Sequence, residues 1–257
     1  MGFINAVLGK TGDDKFTSVE ILENKSFMAD ILGGKSCVLD VRAQLKTGDM
    51  VNIEVQLRDN KNMDKRSLYY MSKLYSSELD AGNDYINLPN VIAINIVNFD
   101  FPNTKNYHSC FHLRDDEEPK IILTNILEIH FINMVKYRKQ LKKPKDSKGI
   151  DDPLMRWLTW LNKDSPPKVI EEIINMDSAI QTADERLFHV TQDKEAMWAY
   201  TRYVIAECDK TSGLNNAYRK GSAEKSEEIA RNLLAKGSTP EFIHETTGLS
   251  LEQIKIL

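Results

Sequence analysis

Two acids sit inside apolar runs, Asp40 in Val38-Leu39-Asp40-Val41 and Glu54 in Ile53-Glu54-Val55-Gln56. A strand interior is a poor place for a carboxylate unless it is exposed or has a partner. Glu54 and Gln56 are two residues apart and so share one side of their strand. Asp40 is placed by the turn between the two runs. If Lys46-Thr47-Gly48 is a three-residue hairpin loop with Gly48 left-handed, paired residue numbers sum to 94 and Asp40 stands across from Glu54. Their Cβ atoms are then roughly 5 Å apart. Carboxylates that close repel unless a proton or a cation lies between them, and a hard divalent cation favours carboxylate oxygens. The other reading is an ordinary hairpin with a wet polar face. A two-residue loop would put the acids on opposite faces.

Further along, Arg66, Tyr70 and Lys73 recur at helical spacing and can present positive charge to a phosphate. The same spacing also describes a solvated edge with Tyr70 in a core. Leu68, Tyr69, Met71 and Tyr75 are expected to pack on the sheet. Lys136 to Lys148 carries seven basic residues and one acid, which suits either contact with a nucleic-acid backbone or a solvated linker. His108 and His112 share a face of a probable strand, but no third metal ligand is apparent, and they read as packed side chains.

These residues need elements to hold them. Lys15–Leu22, Ser36–Leu45, Met50–Leu57, Val91–Phe101, Asn106–Leu113 and Lys120–Glu128 read as strands. Met63–Leu79 reads as a helix stopped by Gly82. From Pro153 onward the pattern is helical, with separate helices expected over Asp193–Glu207 and Ala223–Lys236. Ser238-Thr239-Pro240-Glu241 and Ser250-Leu251-Glu252-Gln253 each fit a capping box, and Gly248 fits a left-handed helix end. The expected organisation is an α/β domain over residues 1–135, a basic linker over 136–150, a helical region over 151–237 and a two-helix segment over 238–257.

The 257 residues are 41% hydrophobic and 28% charged, which excludes a disordered chain and a disulfide-stapled miniprotein. A net charge of −4 excludes a general basic coat, so a nucleic-acid partner requires a local patch. No apolar run approaches the length of a membrane span, and the start, MGFINAVLGKTGDD, fits neither a signal peptide nor the myristoylation pattern. Cys37, Cys110 and Cys208 are odd in number and widely spaced, which suggests a reducing, cytoplasmic setting.

LDVRA, a glycine-containing loop, NIEVQ and then RSLYYMSKLYSSEL with Gly82 and Tyr85 resemble the Rpn family of recombination-promoting nucleases and transposases, part of the PD-(D/E)XK nuclease superfamily. The resemblance implies a restriction-endonuclease-like mixed sheet core of αβββαβ order followed by a mostly helical C-terminal region. It also implies that the first core helix is truncated, because Met1 falls just before FINAVLG.

By the same resemblance Asp40 and Glu54 are the family's two acids, and Gln56 holds the position of its Lys or Gln. The implied activity is metal-dependent DNA endonuclease chemistry tied to recombination or transposition. Asp40, Glu54 and the Val55 carbonyl would hold Mg²⁺, with Mn²⁺ as a substitute. Gln56 would orient water or bond a phosphate oxygen. The alternative is a non-catalytic remnant of the nuclease fold that binds DNA or self-associates. With a shortened first helix, strand residues near Val19, Val38 and Val55 are expected to lose cover, and a homodimer is one remedy.

Overall fold

The computed structural model describes residues 1–22, 41–79, 82, 84–141 and 151–257. These fall into two compact units, Met1–Asp184 and Glu185–Leu257. Asp40, Val38 and Cys37 lie outside the described residues, as does the basic run from Lys142 to Lys148.

The first unit begins with a short helix, α1 (Gly2–Val7), and then β1 (Val19–Leu22), β2 (Val41–Leu45) and β3 (Met50–Gln56). Helix α2 (Met63–Ser76) leads to β4 (Val91–Val97), then β5 (His108–Arg114) and β6 (Ile122–Asn133). The helices α3 (Met134–Leu141), α4 (Pro153–Leu161) and α5 (Pro167–Met176) follow, and α6 (Ser178–Gln192) begins in this unit and ends in the second. The sheet has six strands in the order β1-β2-β3-β4-β6-β5. The first three run antiparallel, β3, β4 and β6 run parallel, and β5 is an antiparallel edge. This is the expected mixed α/β core, in the order helix, three strands, helix, strand.

The β2–β3 hairpin has the expected register. Val41 pairs with Ile53, Arg42 with Asn52, Ala43 with Val51 and Gln44 with Met50, so the partners' numbers sum to 94. The Gly48 N–H donates to the Leu45 carbonyl at 2.9 Å, and Gly48 has a φ of +90°. A residue with a Cβ is strained in that conformation.

Both faces of the sheet are covered. Met50, Val91 and Ala93 meet Met71 and Leu74 of α2 on one face. Val51, Ile92, Ile94 and Ile132 meet Ile4 and Val7 of α1, Tyr137 of α3, and Leu154 and Leu158 of α4 on the other. The six-residue α1 therefore shares its face with later helices. Gly2 lies so close to this packing that a Cβ there would stand 2.6 Å from the Cβ of Ala179. Of the positions expected to lose cover, Val19 is half-buried against this core, while Val55 stays 48% exposed. Val55 borders a groove of about 390 Å³ with Leu57, Ile96, Met134, Arg138 and Lys163.

The start of the basic run is helix rather than linker. In α3 Tyr137 is fully buried, and Lys136 Nζ donates to the carbonyls of Pro102 at 2.7 Å and Thr104 at 2.6 Å. Asp100 also pairs with Lys136, at 3.0 Å, and that hydrogen bond holds its carboxyl below the usual carboxylate range.

In the second unit, one helix, α7 (Lys194–Ala235), spans the region where two were expected. It runs through Gly213 and Gly221, each of which costs a helix only about 1 kcal/mol. Helices α8 (Pro240–Thr247) and α9 (Leu251–Lys255) close a small core of Ala230, Ile243, Leu249 and Ile254. The cap of α8 is Thr239 rather than Ser238, with Pro240 in the first turn. Ser250 and Gln253 form the expected capping box, and Gly248 is left-handed. Among the described residues no helix is long and apolar enough to cross a membrane.

The turn gives a direct test. Gly48→Val should cost about 1–2 kcal/mol in urea denaturation through its positive φ, since no atom crowds the position. Gly48→Asn should cost clearly less, because Asn tolerates that conformation.

Candidate active site

Glu54 lies in the interior of β3 with 2% of its side chain exposed. A buried carboxylate must be paired or hydrogen-bonded. Arg66 supplies a partner, its Nη2 standing 3.2 Å from Oε2 of Glu54. Helix α2 brings it there. Met63, Ser67, Met71 and Leu74 form the buried stripe of the helix, so Arg66 and Tyr70 lie along the border of that stripe. The Arg66 guanidinium sits over the Tyr70 ring, 5.0 Å from its centroid, an arrangement that favours the cation. Leu68 and Tyr69, expected on the sheet, are 54% and 43% exposed because the helix turns its other side inward. Lys73 is exposed as well.

The neighbours of Glu54 on this face are polar too. Asn95 is level with Glu54 across the β3–β4 pairing. Its Nδ2 donates to Ser67 Oγ at 3.0 Å and to the His130 carbonyl at 3.1 Å. Asn52, two residues before Glu54, is buried, and its Oδ1 has no hydrogen-bond partner. Arg42, across the hairpin from Asn52, is ion-paired with Glu78 beyond the end of α2. Buried polar groups normally find partners, so the orphaned amide oxygen marks a place where an electropositive group would be accommodated.

The expected residues are thus distributed unevenly. Glu54 and Gln56 share the face covered by α2. Gln56 Nε2 donates to the Arg58 carbonyl at 2.9 Å. The Val55 side chain is on the opposite face, next to the groove described above. Asp40 lies outside the described residues. Arg66 and Tyr70 meet each other, and Arg66 meets Glu54. Asn52, Ser67 and Asn95 were not among the residues singled out from the sequence. Only the strand parity around Glu54 and the stripe of α2 point to them.

The oxygen donors around β3 are chemically suited to a hard divalent cation: the Glu54 carboxylate, the Asn52 amide oxygen and the backbone carbonyl of Val55. The core order and the acid buried in its third strand define a restriction-endonuclease-like nuclease fold. The family model for PD-(D/E)XK nuclease family transposases matches residues 1–217, and the chain belongs to that family. No curated protein and no solved structure matches the chain.

The pairing of Glu54 can be measured. Arg66→Ala removes one charged partner of a buried carboxylate and should cost about 1–3 kcal/mol, the usual range for a hydrogen bond to a charged group, with the Arg66 side chain 29% exposed. Lys73→Ala should change stability by less than about 0.5 kcal/mol. Chemical denaturation of both variants checks the contrast.

Proposed function

We propose that the chain is a metal-dependent DNA endonuclease that hydrolyses phosphodiester bonds in the course of recombination or transposition. The observation that carries this reading is the buried Glu54 in the interior of β3, in a chain of a nuclease family. Asp40 enters this reading from the sequence of the turn, which supports it as the partner acid of Glu54. Asp40 and Glu54, with the Val55 carbonyl, are then the groups to hold Mg²⁺ or Mn²⁺. When bound, the ion would polarise a phosphate oxygen and acidify a water molecule.

The side chains divide the remaining work. Gln56 has no titratable group, so it orients water or bonds a phosphate oxygen rather than taking a proton. Arg66, braced on Tyr70, stands within reach of the same carboxylate and can transfer its charge to a phosphate when a cation takes over Glu54. Lys73, exposed on the same helix, adds positive charge for the DNA backbone. Water adds to phosphorus, one P–O bond breaks, and the products are a phosphate monoester and a free hydroxyl. None of these groups reads base edges, so sequence preference would rest on other parts of the chain.

A second reading has its own support. Arg66 already neutralises Glu54, which is what a non-catalytic remnant of the fold would need in order to stay stable. Calorimetry with Mn²⁺ and a plasmid-nicking assay separate the two. The nuclease reading expects metal binding that raises the melting temperature by linkage, with both binding and nicking lost in Asp40→Ala and Glu54→Ala. Equal metal affinity in the wild type and both variants, or no nicking by the wild type at saturating metal, would leave the remnant reading.

A further inference from the structure

On the sheet face opposite Glu54, five side chains with metal-ligand chemistry converge. His108, Cys110 and His112 alternate along β5, and Glu128 and His130 lie two apart on β6. Cys110 pairs with His130 and His108 with Ile132 in the β5–β6 register. Glu128 and His130 stand beside Ile92 and Ile94 of β4. Ile92 and Ile94 belong to the core under α1 and α4, so the cluster is on that face and is separate from Glu54. The β5–β6 register shifts just past Phe111.

The distances bring these groups within reach of one ion, with His112 able to offer either ring nitrogen. Cys110 Sγ is 3.5 Å from Glu128 Oε1, 3.7 Å from His112 Nδ1 and 3.8 Å from His130 Nε2. His112 Nε2 is 3.7 Å from Glu128 Oε2. The ligand atoms of Cys110, His112 and Glu128 all lie within 4.8 Å of one another. Bond lengths of about 2.0–2.3 Å in a tetrahedral zinc site put neighbouring ligand atoms roughly 3.3–3.6 Å apart. The shortest edge, 2.7 Å between His130 Nε2 and Glu128 Oε1, is a hydrogen bond. It has to open as an ion replaces its proton.

A second shell is also present. His108 Nε2 is 2.9 Å from His130 Nδ1, and the two rings stack with centroids 5.1 Å apart. A hydrogen bond at Nδ1 orients a histidine so that its Nε2 serves the metal. His130 is 3% exposed, whereas Cys110 is exposed, so the cluster has a rigid floor and an open entrance.

We propose that Cys110, His112, Glu128 and His130 bind one zinc-class dication, with His108 as a positioning residue, and that the ion fastens the edge strand β5 to β6. One thiolate, one carboxylate and two imidazoles form a mixed set that suits Zn²⁺ or Co²⁺ and not the all-oxygen preference of Mg²⁺. Four protein ligands leave no open position, which is the pattern of a structural site rather than a catalytic one. Binding releases the thiol proton of Cys110 and the ring proton between His130 and Glu128.

The test uses the full, untagged chain. Calorimetry with Zn²⁺ alone should give one equivalent per chain and a higher melting temperature. Co²⁺ should give visible d–d bands together with sulfur-to-metal charge transfer in the near ultraviolet. Cys110→Ser, at an exposed position, and His112→Ala, at a half-buried one, should weaken Zn²⁺ by tenfold or more, and Cys110→Ser should remove the charge-transfer band. Glu54→Ala should leave Zn²⁺ binding unchanged, which keeps the result independent of any nuclease activity. Absence of Zn²⁺ binding in the wild type, or equal affinity in the wild type and Cys110→Ser, would overturn the proposal.

Discussion

A carboxylate in the middle of an inner strand has to be neutralised, and the contact between Glu54 and Arg66 does this at the centre of the nuclease-like unit. Much of that face follows from the contact. Arg66 can reach Glu54 only if α2 lies across β3 and β4. That position also sets Ser67 against Asn95 and Met71 and Leu74 against the sheet. Tyr70 lies under the guanidinium and limits where it can go. A buried ion pair is a poor device for stability alone, because a well-packed apolar pair of the same volume often does as well or better. A pair kept in an inner strand of the sheet, with an orphaned amide oxygen two residues away, is what the proposed chemistry at that carboxylate would require.

The hairpin that carries Glu54 was legible in the sequence because its turn is local. A three-residue loop with a left-handed glycine fixes the parity of every pair that follows. The observed pairs from Val41–Ile53 to Gln44–Met50 have that parity. The small C-terminal helices were legible for the same reason, since Ser250, Gln253 and Gly248 act within one turn of the chain. Thr239 in place of Ser238 shows the usual slack of one residue where two good caps stand side by side.

Less local features could not be read in this way. The periodicity of α2 fits a stripe through Arg66 and Tyr70 as well as one through Ser67 and Met71, and only the sheet beneath decides which is buried. The sequence pattern reads as two helices where α7 runs unbroken through Gly213 and Gly221. The start of the basic run reads as linker in the sequence, yet Tyr137 anchors it in the core and Lys136 is held by backbone carbonyls. The histidines of β5 lacked a further ligand because Glu128 and His130 arrive from β6 through a register that shifts near its turn end. Short-range rules do not fix such a pairing.

Strand parity then separates two chemistries on one sheet. Alternate residues of β3 turn oxygen donors towards α2, where a hard cation and a phosphate would be suited. Alternate residues of β5 and β6 turn sulfur, nitrogen and carboxylate groups to the other face. Because one pleat separates the faces, the ligand sets cannot mix, and each would select its ion by donor type rather than by affinity alone. The edge strand β5 benefits most from the second set. It has a neighbour on one side only, and its ladder to β6 is interrupted between Phe111 and Leu113, where His112 stands. An interrupted edge ladder is a weak point of a sheet, and side-chain bonds across it restore what the backbone does not supply there.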